Sequence, residues 1–190
     1  MEQATLPTPD LGLTGIIVGV IVALTHAAGL LAPAPLMQGA REFPRSRFWA
    51  TVLVTLSTLW AAWLAHTVDL GEFSPMRTLI VLGTFVSGIL LWRFVPDFLS
   101  SRSLGFLLLL AASPVLDAVF LRHGILKIAL ALLAYAWALA GLFLVGMPVL
   151  HRDLISWVCA RRDRWNAACW AGLLYGLFLL IAGLARQFLS

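Results

Sequence analysis

Apolar residues in this chain neither alternate with polar ones nor keep to one helical face. They run on for 18 to 25 positions and stop at clusters of proline, glycine and charge. A helix needs about 20 apolar residues to cross the roughly 30 Å hydrocarbon core of a bilayer, whereas a membrane β-barrel would show shorter strands of alternating polarity. Segments such as LGFLLLLAASPVLDAVF and ILKIALALLAYAWALAGLFLVGMPVL are apolar all round. The pattern predicts an all-α, polytopic membrane protein: a bundle of six transmembrane helices over about 12–32, 48–66, 77–95, 104–121, 125–149 and 167–185, forming a single domain over residues 1–190. The longest connection, 150–166, is 17 residues and leaves no room for a soluble catalytic domain. The first span lacks a basic leader or a small-residue cleavage signal, so it is expected to be a retained helix.

Composition agrees, with 61% hydrophobic and 12% charged residues among 190. The net charge of +4 does not point to nucleic acid, because the basic residues sit between apolar segments instead of sharing a solvated face with polar and aromatic side chains. Arg41, Arg45, Arg47, Arg93, Arg102, Arg152, Arg161, Arg162 and Arg164 fall in or beside three alternate connections, while Arg77, Arg122, Lys127 and Arg186 fall on the other side. Nine against four predicts both termini outside and the three longer loops in the cytoplasm, most simply of a bacterial inner membrane. Trp49, Trp92, Trp157, Trp165 and Trp170 fall near the same cytoplasmic boundary, as an aromatic belt would. Residues from Arg152 to Trp165 are expected to form a short interfacial helix, with Arg161, Arg162 and Arg164 among anionic lipid headgroups.

The polar residues within the spans are few and therefore informative. Asp117 follows Pro114 inside the fourth span, where a carboxylate costs about 2.5–3.5 kcal/mol near the bilayer centre. It should either face a wetted pocket opened by the proline or sit at the outer interface beside Arg122. Thr51, Thr55 and Thr58 form a narrow, weakly polar stripe with Ala62 that ends at His66, suited to close packing against the third span or to lining a path. His66, Asp69, Glu72, Arg77, Arg122 and His123 are expected at the same outer level as a polar cluster, in which a histidine would relay protons or simply bond a loop carbonyl. His26 lies deeper. A haem bridging His26 and His66 does not fit, since their depths should differ by about 15–20 Å. His26 is better placed to bond a neighbouring helix, and His151 to meet headgroups. Arg93 and Asp97 have the spacing of an i, i+4 pair.

Gly15 with Gly19, and Gly172 with Gly176, make small-xxx-small faces in the first and last spans, which mark close helix contacts inside the chain or with a partner. Cys159 and Cys169 have no metal-ligand or disulfide pattern and are expected as free thiols. No nucleotide, nucleophile or metal fingerprint occurs, and no cofactor or metal is assigned. These features predict a non-enzymatic integral protein, an accessory or scaffold subunit packing against other membrane proteins or against itself. The alternative is a small channel or proton-coupled carrier with a path past Thr51, Thr55, Thr58, His66 and Asp117. A lipid enzyme at the membrane surface would need a clearer catalytic set.

Overall fold

A computed structural model describes residues 10–95 and 98–189, and every regular element among them is helical. The order is α1 (Leu11–Leu31), α2 (Pro33–Glu42), α3 (Arg47–Thr67), α4 (Arg77–Phe94), α5 (Leu99–Val119), α6 (Ile125–Gly146), α7 (Pro148–Cys159) and α8 (Arg162–Leu189), with 3-10 turns at Phe43–Arg45 and Gly71–Met76. Six of these helices are long and apolar enough to cross a membrane, namely α1, α3, α4, α5, α6 and α8. The protein is therefore an all-helical integral membrane protein.

The starts of the helices follow local chemistry. Asp10 accepts the Leu13 amide at 2.9 Å and Ser46 accepts the Trp49 amide at 3.3 Å, each satisfying a donor that the first turn leaves open. Pro33 and Pro148 open α2 and α7, where a missing N–H costs nothing. Pro148 also explains why the fifth span ends at Gly146 and not at 149.

Three stretches differ from the sequence pattern. The segment 33–47 contains a helix and a 3-10 turn where a loop is expected. α5 begins at Leu99, not 104, because Ser100, Ser101 and Ser103 are buried with hydroxyls bonded to the Ser46 carbonyl, His151 and the Leu99 carbonyl. Hydropathy stops at serines, but bonded hydroxyls can be interior. The single interfacial helix expected from Arg152 to Trp165 is divided: α7 ends at Cys159, and Arg162 and Arg164 belong to the first turn of α8, where Asp163 supplies the favourable charge. Pro114, by contrast, lies within α5, which continues to Val119. Asp97, the expected partner of Arg93, lies outside the described residues.

α1 packs most extensively on α8, and α5 on α6. Leu11, Val18 and Val22 of α1 join Ala112, Val115 and Val119 of α5, Leu126 and Leu130 of α6 and Leu179 of α8 in one core. α3 packs on α5, and α4 chiefly on α3, around a much smaller cluster of Ala50, Val54 and Leu99. The connections 32–46 and 147–161 meet the end of α4 and the start of α5 at one end, the long-loop end, where Arg41 donates to the Cys159 carbonyl and Ser100 to that of Ser46. The opposite end gathers Asp10, the two shorter connections and the end of α8, tied by Arg186 donating to the His123 carbonyl at 3.2 Å.

Candidate functional site

At the short-loop end the expected polar cluster is drawn into backbone. Arg77 donates to the carbonyls of His66 and Val68, closing the C-terminal turn of α3 as basic side chains commonly do. Asp69 accepts the Gly71 amide at 3.0 Å and holds the turn that follows. The His66 imidazole is exposed. Asp117 lies in the last turn of α5, exposed, and lines none of the larger cavities. The ion pairs formed among the described residues are Arg152–Asp153 and Arg161–Asp163, both at the other end.

The threonine stripe borders a groove of about 390 Å³ between α3 and α4, lined by Thr51, Thr55 and Thr58 with Phe85 and Ile89. Thr51 accepts the Trp92 indole N–H at 3.1 Å, and Thr58 presses on Gly88 so closely that a Cβ there would collide with it. Two of the three threonines thus hold α4 against α3. Neither His66 nor Asp117 belongs to this groove.

The glycine pairs of the first and last spans serve the α1–α8 contact. A Cβ on Gly19 would stand 2.6 Å from the Leu180 backbone nitrogen, and one on Gly176 2.5 Å from that of Ala23. Gly15 faces Leu126 and Gly183. Gly172 receives the imidazole edge of His26. These faces are closed inside the chain.

A cavity of about 610 Å³ opens at the long-loop end among α1, α2, α3, α5, α7 and α8. Phe43, Trp49 and Trp165 form its aromatic walls, and His26, His151 and Cys169 are its titratable members. His26 donates from Nδ1 to the carbonyl of Val22, one turn back in its own helix, at 2.8 Å. The link to α8 is packing on Gly172, not a hydrogen bond to a neighbouring helix. His151 is half-buried and hydrogen-bonded through Nδ1 to Ser101 Oγ at 2.9 Å, with its ring edge-on to Phe43. Burial holds its pKa below the ordinary 6.5, so the ring stays neutral at pH 7. Trp165 is fixed by donating to the Gly29 carbonyl at 2.9 Å. The pocket suits an apolar or aromatic molecule carrying one hydrogen-bonding group. His151 was expected among headgroups; the serine run that opens α5 is the sequence signal for its burial.

No family model, curated protein or solved structure matches this chain. Its functional interpretation therefore rests on geometry.

Of the expected headgroup arginines, Arg164 donates to the Trp157 carbonyl and lies 4.3 Å over its ring, Arg161 reaches Asp163 at 3.4 Å, and Arg162 is exposed. Both cysteines are free and buried, Cys169 against Gly29 and Cys159 beneath α2. Among the described residues no three of His, Cys, Asp and Glu come together as a metal site would require.

Proposed function

We propose that this protein is a non-enzymatic accessory or scaffold subunit whose docking surface is the outer face of α4. The supporting observation is the packing of that helix. Gly88 is its one buried residue, turned toward α3, whereas Leu79, Leu82, Val86 and Leu90 are exposed along the other side. Gly83 lies among them with nothing within 4 Å of where a Cβ would be. In lipid, apolar surface alone does not drive helix association; close approach at small residues does, and Gly83 supplies such a notch on a helix otherwise held from one side. The long-loop end, carrying nine of 13 basic residues, faces the cytoplasm, with both termini on the outer side of a bacterial inner membrane. Arg161 and Arg162, at the turn between α7 and α8, meet anionic headgroups there.

Purification of the tagged protein from native membranes in a mild detergent, followed by identification of co-purifying chains, tests this role. Wild type should carry a stoichiometric partner, or a second copy of itself, and Gly83→Leu should lose it while keeping its helical spectrum. A wild-type monomer with no partner would overturn the proposal.

A further inference from the structure

The basic side chains of the long-loop end are not equivalent. Arg41, Arg152, Arg161 and Arg164 each engage a protein carbonyl or carboxylate. Arg45, Arg47 and Arg93 instead line one cavity of about 430 Å³ where the N-terminus of α3 meets the end of α4 and the start of α5. Among the described residues none of these three guanidinium groups makes a hydrogen bond or ion pair; Arg93 lies 5.9 Å from the centre of the Phe94 ring. The cavity is built, not incidental: Ser100 donates to the Ser46 carbonyl at 2.8 Å, tying α5 to α3, and Trp92 donates to Thr51 at 3.1 Å, tying α4 to α3. Ser46 caps α3 by accepting from Trp49, which leaves the amides of Arg47 and Phe48 without an intrahelical acceptor. Three arginine residues and the positive end of the α3 dipole thus border one space.

A second observation says what kind of anion fits. Thr51 and Trp92 line both this cavity and the groove between α3 and α4 that continues past Thr55 and Thr58 to Phe85 and Ile89. A charged chamber at the end of the bundle and an apolar channel along its side thus share Thr51 and Trp92 as a common wall. Inorganic phosphate would fill the first and leave the second empty; an amphiphile fills both. We propose that an anionic phospholipid binds here as a resident ligand, its phosphodiester held by Arg45, Arg47 and Arg93 and one acyl chain laid along the α3–α4 groove. Basic pockets between membrane helices are known to select such headgroups. Bound this way, the lipid fastens the lightly packed α4 to α3 from the side that protein side chains leave open. The site stands apart from the partner face on α4 and does not depend on it.

Native mass spectrometry of the purified full chain in detergent tests this with three probes: phosphatidylglycerol, phosphatidylcholine of the same acyl chains, and inorganic phosphate. Phosphatidylglycerol should bind about tenfold more tightly than phosphatidylcholine, and phosphate alone should not be retained. Arg47→Gln and Arg45→Gln should each weaken the phosphatidylglycerol complex by about fivefold, the worth of one basic residue near a lipid phosphate. Arg152→Gln, which removes the same charge from the same end but outside the cavity, should leave it unchanged. Thr55→Trp, which fills the groove and keeps every arginine, should weaken the lipid complex and guards against misfolding or altered orientation in the arginine variants. Equal retention of phosphatidylcholine, retention of inorganic phosphate alone, an equal loss in Arg152→Gln, or no loss in either Arg47→Gln or Thr55→Trp would overturn the proposal.

Discussion

Two helix pairs in this protein use glycine in opposite ways. In the α1–α8 pair, Gly19 and Gly176 bring backbone against backbone, so that a Cβ on either would strike a main-chain nitrogen of the facing helix. In the α3–α4 pair, Gly88 receives the side chain of Thr58, and beyond it the two helices leave a groove and a bare outer face. Main chain cannot move aside without moving its helix, whereas a threonine can turn. The α1–α8 pair is also embedded in the principal core through Val18, Val22 and Leu179, while α4 contributes Leu91 to the edge of a cluster of three residues. The molecule thus combines a closed four-helix core of α1, α5, α6 and α8 with an appended hairpin of α3 and α4, and adaptability is concentrated in the appendage.

The most damaging way to break this contrast is Gly176→Leu. The side chain has no exit between α1 and α8, so the helices must separate, at a cost of about 3 kcal/mol or more. Thermal unfolding in detergent should show loss of the cooperative transition or a large fall in its midpoint. Gly88→Leu should cost about 1–2 kcal/mol, because Thr58 can rotate and α4 can shift along a face that little else occupies. Hydrogen exchange should rise along α4 while α1, α6 and α8 keep their protection. A rise across the whole chain would show that the hairpin is not an appendage.

A smaller effect sharpens the account of the long-loop end. Burial lowers the pKa of His151, so the folded protein resists a proton that the unfolded chain accepts. Above the ordinary value of 6.5 this residue makes stability independent of pH; as pH falls below 6.5, stability is lost. His151→Gln should remove that component, so the difference between wild-type and variant midpoints should change with pH below 6.5 and be constant above it. The smallest effect is expected from Asp117→Asn, under about 0.5 kcal/mol, because the carboxylate is exposed at the end of α5 with no described partner. A transport path through Asp117 would instead make this substitution abolish solute flux in proteoliposomes with the fold intact.

The six spans were readable because a membrane leaves helices few alternatives and marks them with length alone. The glycine faces were readable too, although a motif cannot tell an internal contact from an external one; it took the position of Gly183 behind Gly15 and of Ala23 behind Gly176 to close them. The start of α5 was not readable, since Ser100, Ser101 and Ser103 look polar until the Ser46 carbonyl and the His151 ring are seen to receive them. For the same reason the cavity around His26 and His151 was not readable. His26 and His151 are 125 positions apart, and no periodicity places them around one space. Asp117 stands out in the sequence as a carboxylate inside an apolar span, either in a wetted pocket or at the outer interface, and α5, ending at Val119, puts it in the final turn.

The claim that α4 is the docking helix is tested most directly by site-specific photo-crosslinking in native membranes. A photoreactive residue would be placed in turn at Leu82, Val86 and Leu90 of α4 and at Ile128, Leu132 and Leu139 of α6, all exposed and apolar. Protein adducts of one defined mass at the α4 positions, with lipid adducts alone at the α6 positions, are the predicted result. Lipid adducts alone at all six positions would contradict it.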